Sequence, residues 1–189
     1  MRKEIRRQFI HFIFGSFFIC LAATQGMPLT LQMLCAAFAL GLLVSYALKK
    51  GMRVPVFHQA ARMVERDYEK HLPGKGALLF FLSAIIVVGI FGIALQNKPA
   101  ALGALCTVVY GDSVSTIVGM LFGKHRIAGK RTWEGTLSGL AAAFLFLQFL
   151  FPPHIALAAA AIGMAAELLP FDDNFTIPLA SGAALAVLS

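Results

Sequence analysis

The residues best suited to chemistry lie between Gly111 and Gly139, where carboxylates and cations interrupt apolar sequence. Asp112 and Ser115 share one helical face with small residues, while apolar residues cover the other faces. Four cations then follow in a loop, and a second carboxylate comes just after them. Carboxylates facing a cationic loop at a membrane surface are what binding a metal ion and a polyphosphate requires. The cations are Lys124, Arg126, Lys130 and Arg131, and the second carboxylate is Glu134.

Further acidic residues follow nearer the C-terminus. Glu167 stands near the end of an apolar run, and Asp173 lies in the turn that precedes the last run. In phosphoryl transfer, positioning and charge neutralisation supply most of the acceleration. We therefore expect Asp112, Glu134 and Asp173 to bind a metal ion or to orient an attacking hydroxyl, with Glu167 behind them.

Phosphate groups would be held by cations of the loop, namely Lys124, Lys130 and Arg131. Beyond the acidic turn, Asn174 and Pro178 together predict a broken helix end. Exposed backbone groups at such an end can line a polar cavity.

The composition is that of an integral membrane protein. The 189 residues are 59% hydrophobic and 13% charged, with a mean hydropathy of +0.79, which is too apolar for an ordinary soluble domain. We expect one domain, residues 1–189. The net charge of +7 is explained by cations clustered between apolar runs, which argues against nucleic-acid binding. The three cysteines stand singly in apolar runs and predict neither a disulfide framework nor a zinc site.

The apolar runs predict an all-α bundle of about seven transmembrane helices. The uninterrupted part of the fourth run is too short to cross a bilayer, so its helix must continue past Asp112 towards Phe122. Asp112 is then in or near the hydrocarbon and should face the bundle interior with a partner. The seventh run is short for a full crossing. The expected spans are Phe9–Ala23, Leu29–Leu48, Ala77–Leu95, Ala100–Phe122, Gly135–Phe151, Ile155–Leu169 and Phe175–Leu188.

Two segments allow alternative interpretations. The basic start and short apolar run at the N-terminus are also typical of a signal peptide, although Arg7, His11 and Gly15 share one helical face, which a disposable leader does not need. Taken alone, His11 is better interpreted as a polar residue packed between helices. The polar stretch at about 51–76 predicts an amphipathic helix on the membrane surface, acting as a lid or as a plain connector.

The distribution of cations predicts the orientation. With a cytoplasmic N-terminus and seven crossings, every Lys and Arg except Lys98 lies inside, as the positive-inside rule favours. The motif loop at about 123–134, Glu167 and Asp173 then all reach the cytoplasmic face. We expect an integral protein of the cell inner membrane or its equivalent, with the active site on that face.

Each feature has a simpler interpretation when it is taken alone. The spacings Gly119 to Gly123 and Gly135 to Gly139 are more often signs of close helix packing than of catalysis. A basic loop is usually an orienting signal. The coincidence of an intramembrane Asp, a Glu at a helix entry, a Glu beside a proline and an acidic turn on one side favours function. From the residues alone, an enzyme acting on a phosphorylated compound and a transporter stay equally open.

At these residues the chain resembles the CTP-dependent lipid kinases, the family of dolichol kinase, phytol kinase and the CTP-using diacylglycerol kinase of fungi. The similarity spans most of the chain. In the stretch KRTWEG, Arg131 stands next to the expected lysine, so either Lys130 or Arg131 can fill that role. The matching positions are Gly111-Asp112, Gly119, Gly123-Lys124, the stretch from Lys130 to Gly135, Glu167, Asp173-Asn174, Pro178, and Arg7 with His11 in the first helix.

The resemblance implies Mg²⁺-assisted transfer of the γ-phosphate of CTP to the hydroxyl of a membrane lipid alcohol, either an isoprenoid alcohol or diacylglycerol. The partners it implies are this nucleotide and this lipid, and the oligomeric state stays open, a homodimer included. The site it implies has catalytic residues Asp112, Glu134, Asp173 and His11, metal ligands Asp112, Glu134, Glu167 and Asp173, and nucleotide-binding residues Lys124, Arg126, Lys130, Arg131, Thr132, Asn174, Gly111 and Gly123.

Two competing functions remain. A phosphatidate cytidylyltransferase also uses CTP and Mg²⁺, but it attacks the α-phosphate and releases pyrophosphate. An ion-coupled transporter would use Asp112 and Glu167 as intramembrane carriers. It would move its substrate without nucleotide turnover.

Overall fold

A computed structural model describes residues 2–50, 52, 74–129 and 131–189 of the chain. Almost all of this part is helical. Two helices continue without a break through wider π-helical turns, at Val88–Ala94 and at Thr107–Asp112. The α-helices are α1 (Arg2–Gln25), α2 (Met27–Lys49), α3 (Lys75–Val87), α4 (Lys98–Cys106), α5 (Ser113–Phe122), α6 (Trp133–Leu147), α7 (Pro153–Ala166) and α8 (Asp173–Leu188).

Within the described residues, four helical stretches are long and apolar enough to cross a membrane: Lys3–Gln25, Met27–Lys49, Lys75–Ala94 and Lys98–Phe122. Helices α6, α7 and α8 are apolar but shorter. The expected all-α membrane bundle is therefore confirmed, and so is the continuation of the fourth helix past Asp112. That all seven helices cross, and that the N-terminus is cytoplasmic, stay predictions.

One element lies outside the predicted helices. Strands β1 (Arg126–Ala128) and β2 (Arg131–Thr132) pair antiparallel inside the predicted motif loop, with an irregular register. The Trp133 N–H donates to the carbonyl of His125 at 2.9 Å and joins the hairpin to the start of α6. Because the strands are too short to show an alternating pattern, sequence periodicity did not reveal them. The predicted amphipathic helix at about 51–76 lies mostly outside the described residues.

Helices α5 and α6 pack closely because glycines line their contact. A Cβ added at Gly135 would come 2.7 Å from the carbonyl oxygen of Ser115, and one added at Gly139 would come 2.7 Å from that of Gly111. Only glycine therefore lets these two backbones approach so closely. The packing interpretation of these spacings is confirmed. The crossing places Gly111, next to Asp112, against Gly139 inside α6, and Gly119 against Thr132 and Gly135 at the start of α6.

Helix α8 runs through Pro178 without breaking, which corrects the expectation of a broken helix end. Proline has no N–H to donate to the carbonyl four residues earlier, which belongs to Asn174. The hydroxyl of Ser83 on α3 donates to that carbonyl at 2.5 Å instead. Both groups are buried, so this bond satisfies an oxygen that the helix itself leaves unpaired.

Candidate active site

Three of the predicted acidic residues lie around Arg131, the first residue of β2. Its Nη1 atom lies 2.5 Å from Oε1 of Glu167 and 3.9 Å from Oδ1 of Asp112. Its Nη2 atom forms an ion pair with Oδ2 of Asp173. One guanidinium therefore holds three carboxylates that are far apart in sequence, and we call these four residues the arginine cluster.

The three acids of the arginine cluster come from three helical stretches, and Arg131 comes from β2. Asp112 ends the π-helical segment before α5, Glu167 follows the last residue of α7, and Asp173 begins α8. Ser115, one turn after Asp112, donates to Oε1 of Glu167 at 2.8 Å. This bond ties α5 to α7. Wider π-type turns are frequently found at functional sites, and here one immediately precedes the buried carboxylate of Asp112.

The arginine cluster contains three carboxyl groups and one guanidinium. Asp112 and Glu167 are buried, at 3% and 2% exposure, while Asp173 is partly exposed. The Oε2 atom of Glu167 is buried and has no hydrogen-bond partner among the described residues. A buried carboxylate oxygen without a partner is costly. A further cation at this oxygen would offset that cost.

The structure brings together three of the four predicted metal ligands and keeps Glu134 apart. Among the described residues, no group of three or more His, Cys, Asp or Glu side chains is arranged to hold a metal ion. The guanidinium of Arg131 lies between the acids and compensates part of their charge. The oxygen donors nevertheless suit Mg²⁺, which prefers carboxylates, and the free Oε2 of Glu167 supplies one ready donor. Mg²⁺ binding stays a prediction.

Glu134 forms a second, exposed ion pair at the other side of the hairpin. Its Oε1 lies 2.7 Å from Nδ1 of His125, whose side chain is 77% exposed. The backbone N–H of His125 also points at the carboxylate. Hydrogen bonds from its own backbone N–H and from the His125 side chain lower the pKa of Glu134 to about 2. This carboxylate remains ionised and accessible to water.

His11 lies on α1 on the side of the arginine cluster. Its ring lies beside the Val108 backbone, and the carboxylate of Asp112 acts electrostatically on it. Its Nε2 atom is buried and has no partner among the described residues, and its ring contacts Phe80 edge-on at 4.7 Å between centroids. A bond from Ser113 Oγ to Gln8 Oε1 at 3.4 Å joins the same two helices. The imidazole is therefore inside the bundle, next to a predicted catalytic acid.

The predicted nucleotide-binding residues fall into two groups. Lys124 and Arg126 are exposed on or beside the hairpin, and Lys130 lies outside the described residues. The others have structural contacts in this state. Arg131 holds the carboxylates, and Thr132 accepts a hydrogen bond from the Gly135 N–H as the cap of α6. Asn174 donates to Asp172. A side chain at Gly111 or Gly123 would collide with neighbouring atoms.

Two supporting residues are not evident from the sequence pattern. His125 stands between Lys124 and Arg126, so the sequence presents it as part of a basic loop. Ser83 is an isolated polar residue within an apolar helix. The signal that would have found Ser83 is Pro178, because a proline inside a helix always leaves a carbonyl that needs another donor.

Two comparisons with known proteins found similarity to this chain. The model of the cytidylyltransferase family matches residues 1–172. A phytol kinase from Synechocystis sp. is 29% identical over 194 residues, which cover 94% of this chain and 76% of the relative. No solved structure matches the chain. The resemblance to CTP-dependent lipid kinases is thereby confirmed.

Proposed function

Because the chain belongs to the cytidylyltransferase family, we propose that it is a CTP-dependent kinase that phosphorylates the hydroxyl of a membrane lipid alcohol. The similarity to a phytol kinase favours an isoprenoid alcohol such as phytol, dolichol or another polyprenol over diacylglycerol. The donor would be the γ-phosphate of CTP, and the products a lipid monophosphate and CDP.

The observation that carries the proposal is the arginine cluster beside a hairpin rich in cations. Asp112, Glu167 and Asp173 contact Arg131, while Lys124 and Arg126 stand exposed nearby in sequence. A water-soluble nucleotide reaches the exposed cations, and a lipid alcohol arrives between helices. The two substrates therefore meet where the buried carboxylates end and the hairpin begins.

The reaction forms a bond between the alcohol oxygen and the γ-phosphorus and breaks the bond to the oxygen that leaves with CDP. The hydroxyl proton needs an acceptor. We assign it to Nε2 of His11, because a neutral imidazole has one acceptor nitrogen and this one is buried and free among the described residues. Asp112 then stabilises the imidazolium that forms.

Mg²⁺, which would be held by Asp112, Glu167 and Asp173, would neutralise phosphate charge when it is bound. Arg131 and the exposed cations of the hairpin would draw the phosphates to the same place. Glu134 remains ionised on the water side, where it would orient the nucleotide or contribute to its metal ion. The predicted cytoplasmic orientation puts this side where the nucleotide is.

The test uses purified protein with phytol, Mg²⁺ and CTP labelled in the γ-phosphate. The proposal expects label in the lipid and stoichiometric CDP. ATP in place of CTP tests the donor. Absence of lipid label with phytol, a polyprenol and diacylglycerol alike would exclude the proposed kinase.

A phosphatidate cytidylyltransferase is the alternative, and the description of the matched family favours it. That enzyme would incorporate the nucleotide into the lipid and release pyrophosphate. With phosphatidate as acceptor and γ-labelled CTP, label in pyrophosphate would establish it. An ion-coupled transporter would instead show substrate movement in proteoliposomes without CTP turnover.

A further inference from the structure

An apolar groove opens on the side of the bundle where α1, α2 and α3 meet. It has a volume of 310 Å³. Phe14 and Phe17 are about half exposed at its mouth, while Phe18 is buried at its wall. The lining residues in the described part of the chain are all apolar: Ile13, Phe14, Phe17, Phe18, Ala37 and Phe81.

A row of ring contacts connects the wall of the groove to His11. His11 touches Phe80 at 4.7 Å, Phe80 touches Phe81 at 5.7 Å, and Phe81 touches Phe18 at 5.8 Å between ring centroids. Phe81 and Phe18 are themselves groove residues. The free Nε2 of His11 is thus separated from the groove by one aromatic side chain.

The direction of the groove matches the orientation of a membrane alcohol. Phe14 and Phe17 follow His11 by about one and two turns of α1, which corresponds to roughly 5 to 9 Å further along the helix. The charged N-terminal end of α1 precedes His11, so the groove lies on the apolar side of the imidazole. A lipid with its hydroxyl at His11 would direct its chain along the groove, as lipids direct their chains away from the surface.

We propose that this groove binds the hydrocarbon chain of the alcohol, with the hydroxyl at His11 and Asp112. The inference rests on the proposed function and adds the place where the acceptor binds. A volume of 310 Å³ is at the lower end for small-molecule pockets, so the groove holds the part of the chain nearest the hydroxyl and the remainder extends into the bilayer. The aromatic wall suits a branched chain, because flat rings pack against methyl branches.

The kinetic test is Ala37→Phe, which fills the groove from α2, compared with Ala141→Phe, which adds the same ring at an exposed position of α6. We expect Ala37→Phe to raise the KM for a diterpene alcohol at least tenfold, while the KM for CTP and the turnover of prenol, a short alcohol, stay unchanged. Ala141→Phe should leave all of these unchanged. An equal KM for the diterpene alcohol in both variants, or an equal loss with prenol, overturns the proposal.

A binding test separates this inference from the proposed activity. A diterpene alcohol carrying a photoreactive diazirine is added to the protein in vesicles without nucleotide, and labelled residues are mapped by mass spectrometry. Label at Phe14, Phe17 or Phe81 that falls in Ala37→Phe supports the groove even if no kinase activity is found. Label that a diazirine phospholipid reproduces equally shows ordinary bilayer lipid in the groove and overturns the proposal.

Discussion

The hairpin between α5 and α6 carries two ion pairs that differ in burial. On β2, Arg131 holds Glu167 and Asp112, whose side chains are almost completely buried. Just before β1, His125 holds Glu134, and its ring is largely in water. The same short element therefore presents a buried charge cluster towards the bundle and an accessible charge pair towards solvent.

This difference in burial assigns different roles to charges that the sequence pattern places in one loop. Buried charges interact strongly because little water is present to screen them. The arginine cluster therefore holds the surrounding elements together and creates a strong local electrostatic field. An exposed pair is screened and contributes little to stability. We therefore expect the buried cluster to determine folding and the acceptor side of the reaction, and the exposed pair to act on the nucleotide alone.

The largest effect is expected from Arg131→Ala. Removal of the guanidinium leaves two buried carboxylates without their counter-ion, and breaking such a pair costs about 3 to 5 kcal/mol. Thermal unfolding in detergent should show a large loss of stability together with loss of activity. Arg126→Ala, an exposed cation on the neighbouring strand, is the control and should stay within about 0.5 kcal/mol of the parent. Equal stability of the two variants would mean that the cluster does not hold the helices.

Asp112→Asn should abolish most of the activity without unfolding the protein. At 3.9 Å it is the most distant of the acids that contact Arg131, so the guanidinium keeps Glu167 and Asp173 when this charge is removed. The loss of a preorganised charge beside the reacting atoms should reduce kcat by about 100-fold or more. Transfer of label from γ-labelled CTP measures the rate, and thermal unfolding measures the fold. Near-normal turnover would remove Asp112 from the site.

A smaller effect is expected from Ser83→Ala, which tests how the Asp173 end of α8 is supported. The substitution leaves the buried Asn174 carbonyl without a donor, a loss of about 1 to 3 kcal/mol. The matched test repeats it in a Pro178→Ala background, where residue 178 regains an N–H that can reach that carbonyl. Thermal unfolding should then show a smaller loss than in the parent. The same loss in both backgrounds would show that Ser83 acts through something else.

The sequence predicts that the carboxylate of Asp112 is buried and needs a partner, but it does not predict that Arg131 is that partner. The length of the apolar run required the fourth helix to continue through Asp112, and the carboxylate is indeed inside a continuous helical stretch. Charges in hydrocarbon need partners, which is a strong constraint that can be read without coordinates. Arg131 is the common partner because of the direction in which a strand of two residues runs. Hydrophobic periodicity in the sequence carries no information about that direction.

The position of Glu134 could not be predicted from the sequence pattern. The pattern predicts that four acids near the ends of apolar runs share one metal ion, but in the structure Glu134 pairs with His125 and lies apart from the other three. Its place in the first turn of α6 favours a negative charge at the positive end of the helix dipole, which any acidic residue there would gain. The choice of His125 as its partner comes from the irregular hairpin and could not be inferred from spacing.

The smallest expected effect concerns the protonation of Glu134. Because its pKa is lowered to about 2 in the folded protein, against an ordinary value of 4.5, its contribution to stability is present above the ordinary value and is lost as the pH falls through about 2. Difference infrared spectra against Glu134→Gln should therefore show an ionised carboxylate at a pH where ordinary glutamates are protonated. His125→Ala should move the midpoint upward, because one of the bonds that favour the charged form is removed. Both variants should lose only a little thermal stability at neutral pH, since the pair is exposed and screened by water. A titration midpoint of Glu134 near 4.5 in the parent would show that the exposed pair with His125 does not form. Only the buried cluster would then be a true ion-pair site of the hairpin.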